Sequence, residues 1–571
     1  MDKKTLLAIA LTALVIIVTP MIFPSPTPAP PAPADSMAVA AGQPTIAPAP
    51  ATQAATPQAT RLAGSTKRAT APAAASAALR PVETTTVRTA RAEYTLTSAG
   101  GVPTQVTLPD YRSLRPGIAK GTPVRLIEQN DRLFRLSLRT STEVIALDTV
   151  TFRFGPQRQE GSFAVITATS TSLAKPITLT YRFPADSFAM SVEGTVALTP
   201  GTSAQVTAWL PTRIHTDEAD VKEDTRLLAL AYRVGVSDPK GVSFNSIDTI
   251  PQLDSGAVRW FAVRNKYFVV AALSSPTATP FQSLIRRGEP HEDDATVAYV
   301  SSVLPITDGR FSFRVFAGPQ SWEHLRATAP ELENVNPYGG WLHGVVQPFA
   351  TIVMRLLLWM RDTVNVGYGW VLVIFGVVVR LLMWPLNQNA MRSSMKLQRI
   401  QPQLQELQTK YKNDPEKQRE AMMRLYSDHG MSPFTPILGC LPMLLPMPIL
   451  FALYFVFQNT IELRGVSFLW LPDLSLRDPY FITPLFMGAS MFVLSWIGMR
   501  GMPPNPQSKM MLYIMPVMFT VLFWNFASGL NLYYAVQNVA ALPQQWLLAR
   551  ERVTAKSVTA KSAGGAKAPG G

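Results

Sequence analysis

Arg380 is a single charge inside a long apolar run, and its side chain has the clearest potential for chemistry in this sequence. The run from Trp370 to Pro385 contains no acidic residue. A charge within a bilayer costs about 2.5–3.5 kcal/mol on insertion scales, so it usually serves function. Alternatively, Arg380 snorkels toward the interface that Trp384 marks roughly 6 Å away. Position alone supports both interpretations equally, and a polar cavity open to the cytoplasm would satisfy both.

Polar side chains near the end of the chain could line the same cavity. They flank the last turn between apolar runs or follow one another along the final run, where 3–4 spacing puts several of them on one helical face. For any one of them alone, hydrogen bonding between helices is the more common role. The candidates are Asn525, Tyr533, Tyr534, Gln537 and Asn538.

The segment 387–436 has the pattern of a basic helical hairpin. Apolar residues recur at 3–4 spacing from Leu397 to Tyr411, as in a coiled-coil seam. Asp414 and Pro415 suit the N-cap and first position of the returning helix. Such a hairpin fits docking of a partner or of anionic lipid, and a solvated connector fits the charge equally well. Its basic candidates are Arg392, Lys396, Arg399, Lys410, Lys412 and Arg419.

Composition excludes several other kinds of chemistry. The single cysteine, Cys440, rules out intramolecular disulfides and multi-cysteine metal sites. Five scattered histidines form no metal-ligand motif, and no Walker sequence is present. We therefore expect no catalytic residues, no cofactor and no metal. The 571 residues include 52 Lys and Arg against 38 Asp and Glu, and only 16% are charged, below the roughly 25% of soluble chains.

Long apolar runs explain that low charge and predict six membrane spans. The first lies within 1–23 and is interpreted as a retained anchor in preference to a cleaved signal peptide. Residues 24–81, rich in Ala and Pro, should form a disordered periplasmic tether. The other five runs are 369–386, 437–459, 480–499, 509–526 and 530–549. Short loops join the last four of these, which together occupy residues 437–549.

A further apolar run, in the linker 321–368, is predicted to lie along the membrane surface. Gln347, Thr351 and Arg355 form a polar stripe at i, i+4 and i+8, which is typical of an interfacial helix. With this assignment the basic segment 387–436, the tail 550–571 and the N-terminus all lie in the cytoplasm, as the positive-inside rule prefers.

Residues 82–320 have the pattern of a large antiparallel β-sandwich on the outer side of the membrane. Short β-rich runs alternate with turn signals, and no helical run interrupts them. No pairing of nucleophile and base is found, so the charges of this domain are predicted to lie on solvated strand faces. The runs are Val144–Phe154, Ser162–Thr169, Ile177–Phe183, Val258–Leu273, Ala295–Val303 and Phe311–Phe316.

Ordered motifs across most of the chain resemble those of the YidC membrane protein insertases, in their long Gram-negative bacterial form. The resemblance is strongest from Gly318 to Trp546. It also includes the stretch from Trp260 to Phe268. The motifs are GPQSWEHL, YGGWLHGVVQP, VVRLLMWPLNQ, IQPQLQEL, LPMLLPMPILFALY, ELRG, LPDLSLRDPYFITPLFMG, IMPVMFTVLF and SGLNLYYAVQN.

The resemblance implies an insertase of the cell inner membrane that works without nucleotide hydrolysis. Five core helices would form a groove open to the cytoplasm and to lipid, with the family's groove arginine at Arg380 and its substrate-contacting tyrosines at Tyr533 and Tyr534. The implied partners are nascent membrane proteins, the ribosome, the Sec translocon and membrane lipids. No specific DNA is implied as a partner. Gly376 stands at a groove position where some members carry a hydroxyl, and Pro446 stands where a glutamine is familiar.

Two other functions compete with insertion. A solute transporter could use an intramembrane charge, although the spans show no inverted repeat and the charge is unpaired. A membrane-anchored periplasmic enzyme or carbohydrate-binding module would leave Arg380 and the basic hairpin without a role.

Overall fold

The computed structural model describes residues 82–127, 131–173, 175–198, 203–336, 343–412, 414–428, 447–500 and 506–564. The predicted anchor within 1–23, the tether 24–81 and the start of the predicted span 437–459 lie outside these residues. The described chain has a β-rich part, from residue 82 to about 320, and a helical part after it.

The β-rich part contains two sheets, one of four strands and one of fifteen, and every strand pair described is antiparallel, as predicted. A single hydrophobic core joins side chains from both sheets. The strands are β1 Thr84–Arg88, β2 Glu93–Thr97, β3 Pro103–Arg112, β4 Pro123–Arg125, β5 Arg135–Thr140, β6 Val144–Ala146, β7 Phe152–Phe154, β8 Arg158–Glu160, β9 Phe163–Ser170, β10 Ile177–Pro184, β11 Ala189–Val196, β12 Ala204–Trp209, β13 Ala229–Val234, β14 Lys240–Ser243, β15 Gln252–Arg264, β16 Phe268–Ser274, β17 Phe281–Gly288, β18 Ala298–Pro305 and β19 Arg310–Pro319.

Alternation along the strands sets which face is buried. In β10 the side chains of Ile177, Leu179, Tyr181 and Phe183 are buried, while the residues between them are partly exposed. Successive side chains of a strand point to opposite faces, so this pattern places one face on the core. The predicted period-2 pattern is confirmed here.

Two predicted β runs are each interrupted by a turn. A short 3-10 turn at Leu147–Thr149 separates β6 from β7. Between β15 and β16, the side-chain oxygen of Asn265 accepts hydrogen bonds from the backbone N–H groups of Tyr267 and Phe268 at 3.2 and 2.8 Å. Such local side-chain capping competes with strand pairing and closes the hairpin.

A short helix, α1 (Val221–Arg226), lies within the β-rich part and corrects the expectation that no helical segment interrupts it. Asp220 caps it, because its carboxylate accepts a hydrogen bond from the backbone N–H of Glu223 at 2.9 Å. The remaining helices are α2 Trp322–Thr328, α3 His343–Val364, α4 Tyr368–Lys410, α5 Pro415–Asp428, α6 Met447–Asn459, α7 Ile482–Gly498, α8 Pro506–Leu522 and α9 Ser528–Gly564.

Helix α4 joins the predicted span 369–386 to the first arm of the predicted hairpin as one helix of 43 residues. The returning arm, α5, begins where the sequence indicates, because Asp414 accepts a hydrogen bond from the backbone N–H of Lys417 at 3.2 Å. Helix α9 is also continuous and carries the final predicted span into the basic tail as far as Gly564.

The helical part has the surface of a membrane protein. Within the described residues, the segment Tyr368–Pro385 is long and apolar enough to cross a membrane, and Ile482–Gly498 and Leu512–Asn525 are shorter apolar helical segments. Large apolar side chains such as Leu382 and Val517 are exposed by 76% and 64%. A soluble monomer rarely exposes contiguous apolar surface of this kind, whereas lipid covers it.

Helix α3 turns its polar stripe toward the end of the β-rich part. Gln347 donates a hydrogen bond to the side chain of Asn334 at 2.9 Å, and the Arg355 guanidinium lies 5.2 Å from the centre of the Trp322 ring. Its buried apolar side chains join the core of the helical part, while Ile352 and Trp359 stay exposed.

Candidate functional site

Arg380 lies on α4 at the contact with α9, and its hydrogen-bond partner there is a neutral side chain. Its Nη2 donates a hydrogen bond to Oε1 of Gln544 at 3.0 Å, and the Gln544 amide donates to the backbone carbonyl of Trp384 at 3.0 Å. The Nε of Arg380 is buried without a hydrogen-bond partner among the described residues. No ion pair to Arg380 is found within that part of the chain. Among these residues, the guanidinium is therefore oriented by an amide and has no carboxylate beside its positive charge.

Gln544 is a site residue that the sequence analysis missed. It is 2% exposed, and it fixes both Arg380 and the carbonyl of Trp384. A signal was present, because Gln544 follows Gln537 by seven residues and so falls on the same face of helix α9.

Gly376 allows helices α4 and α9 to approach closely one turn before Arg380. A Cβ at this position would lie 3.1 Å from Cγ1 of Val536 and 3.6 Å from Cδ2 of Tyr533. Glycine thus brings the backbone of α4 against the Tyr533 region, which places Gly376, Arg380 and Tyr533 along one helix–helix contact.

Tyr533 is the centre of an aromatic layer across the helical part. Its ring centroid lies 5.6 Å from that of Phe375 and 6.0 Å from that of Phe457, and the Tyr534 ring is 5.3 Å away. Gln537 donates a hydrogen bond to the Tyr533 hydroxyl at 2.5 Å, whereas the buried Tyr534 hydroxyl has no partner among the described residues.

The structure does not bring Asn525 and Asn538 to Arg380. Asn538 donates to Oγ of Ser490 at 3.1 Å and so links α9 to α7, as an interhelical hydrogen bond does. Asn525 lies in the turn between α8 and α9, where its side-chain oxygen accepts from Arg477 at 3.5 Å.

The basic hairpin is formed by α4 and α5. Arg392, Lys396 and Arg399 lie on α4, Lys410 ends it, Lys412 lies in the turn and Arg419 lies on α5. Lys410, Lys412 and Arg419 are exposed, while Ile400 and Tyr426 are buried.

A buried ion pair joins the β-rich part to the loop after α6. Nε of Arg464 lies 2.9 Å from Oε1 of Glu218, and the two side chains are 4% and 5% exposed. Arg464 also donates to the backbone carbonyls of Arg112 and Asp217. Burial raises the pKa of the Glu218 carboxyl to about 7, against the opposing effect of the Arg464 guanidinium.

Further buried charges flank this ion pair. Nζ of Lys266 lies 3.2 Å from Oε1 of Glu223, which also accepts a hydrogen bond from the Gln458 amide of α6 at 3.2 Å. Burial raises the pKa of Asp224 to about 6, opposed by the hydrogen bond from the backbone N–H of Lys266. The expectation that charges of this domain lie on solvated faces is therefore wrong for Glu218, Asp224 and Lys266. Each finds a partner that is distant in sequence, which a local pattern does not reveal.

An outer cavity of about 930 Å³ lies beside these charges, between the β-rich part and the ends of the helices. One wall comes from Lys266 and residues 219–221 and 223, and the other comes from α6, the loop 472–481 and the turn before α9. Phe457 lines this cavity and also packs against Tyr533. The aromatic layer thus separates the outer cavity from the surroundings of Arg380.

Comparisons with known proteins agree with this architecture. A family model described as 60Kd inner membrane protein matches residues 359–556, and one described as YidC periplasmic domain matches residues 84–352. The membrane protein insertase YidC of Chlorobium phaeovibrioides is 32% identical over 409 residues, which cover 68% of this chain and 69% of that protein. The corresponding protein of Prosthecochloris aestuarii is 31% identical over 412 residues, with the same coverage.

Among solved structures, a crystal structure of an active YidC insertase with its first transmembrane domain resolved covers 82% of this chain and 94% of its own. The sequence identity is 19% and the TM-score is 0.32, so this likeness carries no weight for the fold.

Apolar helices and a β-rich domain outside the bilayer define an integral inner membrane protein with a periplasmic domain. The identity and coverage of the relatives then assign the family. The chain belongs to the YidC family of membrane protein insertases. It is thus an insertase rather than an enzyme, and it acts on nascent membrane proteins.

Proposed function

We propose that the contact between α4 and α9 is a substrate groove, in which Arg380 draws in hydrophobic segments of nascent membrane proteins before they pass sideways into lipid. The observation that carries this proposal is the half-buried Arg380 guanidinium, whose hydrogen-bond partner among the described residues is a neutral amide. A charge of this kind attracts acidic or polar parts of a substrate and lowers their cost of entering the membrane. The hydrophobic effect then drives the apolar segment out into the bilayer.

Gly376, Tyr533, Tyr534 and Gln537 belong to the same proposed groove. Tyr533 and Tyr534 supply rings with a polar end, which suits contact with a segment that has both apolar and polar groups. Asn525 and Asn538 lie farther from Arg380, and their roles are assigned separately: Asn538 stabilises the contact with α7, and Asn525 lies at the outer cavity.

The wider arrangement in the membrane follows the positive-inside rule. It has six spans, namely an N-terminal anchor and five core helices, with both termini in the cytoplasm and α3 along the membrane surface. The exposed basic residues of the hairpin suit contact with the ribosome or anionic lipid, and the basic tail suits ribosomal RNA phosphates. Insertion proceeds with or without the Sec translocon. Family membership gives no support to a solute transporter or a carbohydrate-binding module.

Depletion of the native protein with complementation tests the groove. Arg380→Ala should rescue the insertion of small phage-coat-like or ATP-synthase subunits poorly, and Arg380→Lys should rescue it well because it keeps the charge. Arg500→Ala removes an exposed positive charge from the end of another helix and serves as the matched control. Full rescue by Arg380→Ala, at equal protein level, would show that the charge does not drive insertion.

A further inference from the structure

We propose that the outer cavity receives the short polar segment of a substrate after it has passed the aromatic layer, and that acidic and amide side chains of this segment are what it binds. This inference rests on the proposed function of the Arg380 groove. It adds a second binding site, on the outer side, to the one around Arg380.

The lining of the outer cavity suits a hydrated peptide. Charges of both signs face it, from Asp220, Glu223, Lys266 and Arg477, together with the amides of Gln458 and Asn525. Apolar side chains of the helices complete the wall. A volume of about 930 Å³ lies at the upper end of the range for ligand pockets, so it holds several residues of a peptide.

Arg477 gives the outer cavity its preference for acidic and amide groups. Lys266 is already paired with Glu223, whereas Arg477 is exposed and forms no ion pair among the described residues. Its guanidinium donates weakly to Asn525 at 3.5 Å and lies 6.0 Å from the centre of the Phe481 ring. A guanidinium in this state presents a fork of donors that matches a carboxylate.

The outer cavity lies on the path that a translocated segment must follow. Leu530 lines the cavity one helical turn before Tyr533, and Gln544, the partner of Arg380, follows farther along the same helix. From Leu530 to Gln544 the rise along α9 is roughly 20 Å. About six extended residues span this distance. A segment whose inner end lies at Arg380 therefore reaches the outer cavity with residues about six positions away.

Disulfide crosslinking in the full chain tests the inference. In a Cys440→Ala background, Ala219→Cys and Ala527→Cys place one thiol on each wall, Val536→Cys places one beside Gly376, and Val236→Cys places one on the 89% exposed tip of a β turn. The substrate is a ribosome-stalled single-span protein with an acidic N-terminal segment that carries one cysteine at successive positions.

We expect both wall thiols to form adducts several-fold above Val236→Cys, with substrate positions about three residues beyond those that react with Val536→Cys, because Leu530 and Val536 are roughly 9 Å apart along α9. Replacing the acidic residues of the segment by lysine should lower the wall adducts several-fold. Adducts at Val536→Cys without wall adducts above the Val236→Cys level would overturn the outer site and leave the groove intact. Absence of adducts at all three positions would overturn both. Wall thiols that react with a thiol-reactive phospholipid but not with substrate would show that lipid fills the cavity, against the inference.

Discussion

Arg464 in the loop after α6 and Glu218 in the β-rich domain form an ion pair that is almost completely shielded from water. Burying two charges costs several kcal/mol per ion, and the pair offsets this only while both partners are present. The nearby acidic residues of the loop have other partners, because Asp473 caps the loop by accepting from Gly465 and Ser475, and Asp478 caps α7 by accepting from Thr483. Arg464 is thus left for the periplasmic domain.

Removing Glu218 alone should therefore destabilise the fold strongly. We expect Glu218→Ala to lower the free energy of unfolding by about 3–5 kcal/mol, because it leaves the buried guanidinium of Arg464 without its side-chain hydrogen-bond acceptor. The double variant Glu218→Leu with Arg464→Met should recover much of this loss. Chemical unfolding of the protein in detergent, analysed as a double-mutant cycle, measures both. The exposed pair of Arg226 and Asp294 is the control, and its loss should cost much less, because water solvates both charges once the pair is broken.

Deleting residues 85–320 should harm insertion less than Glu218→Ala does. The deletion removes Glu218 together with the domain that buries Arg464, so the arginine becomes hydrated rather than buried alone. Complementation of depleted cells with each variant gives the comparison. Loss of insertion in the deletion at normal protein level would instead assign the β-rich domain a direct role.

The same carboxyl predicts a pH dependence of stability. The folded-state pKa of Glu218 is about 7 and its ordinary value is 4.5, so the folded protein holds this proton more tightly than the unfolded chain does. Its contribution is fully present below about pH 4.5 and is lost as the pH rises through about 7. Asp224 contributes with the same sign at lower pH, up to about 6. The free energy of unfolding should fall as the pH rises from about 4.5 to about 7, and the fall should be smaller in Glu218→Gln, where only Asp224 still contributes. An equal fall in both proteins would contradict the assignment.

Gln544 offers a test of whether Arg380 works through its free charge. Gln544→Glu should pair with the guanidinium and neutralise it, so insertion of substrates with an acidic segment should fall toward the level of Arg380→Ala while the fold is kept. Gln544→Met retains the size and leaves the charge free, so it should insert several-fold better. Pulse-labelled insertion assays at matched protein level distinguish the two. Equal activity of both variants would mean that Gln544 has a structural role only.

The close approach at Gly376 predicts a steep dependence on side-chain size. Gly376→Ser adds few atoms and should be tolerated, whereas Gly376→Leu forces α4 away from Val536 and should cost about 1–3 kcal/mol. The Gly376→Leu variant should also insert substrates less well, because the displacement of α4 separates Arg380 from Gln544. Thermal unfolding and complementation together measure this, and Gly344→Leu, at a helical glycine with open space around it, is the control.

Features that depend on nearby residues were predictable from the sequence. The alternation of β10, the cap at Asp414 and the placement of Arg380 in an apolar helix each depend on a few neighbouring positions. Contacts between residues that are distant along the chain were not predictable from the sequence. Glu218 and Arg464 are 246 residues apart, and Arg380 and Gln544 are 164 apart, so no periodicity connects them. Helix α1 was too short for a 3.6-residue pattern to emerge, and only its Asp220 cap marked it.

The continuity of α4 has a mechanical consequence. The membrane segment and the hairpin arm form one helix, in which Arg380 and Lys410 lie about 45 Å apart. Pro385 and Pro402 lie between them, and a proline has no N–H for the helical hydrogen bond, so these are the two positions at which the helix bends most easily. Arg380 lies on the membrane side of both prolines. The hairpin can therefore change its direction at the prolines while the segment that holds Arg380 keeps its position in the membrane.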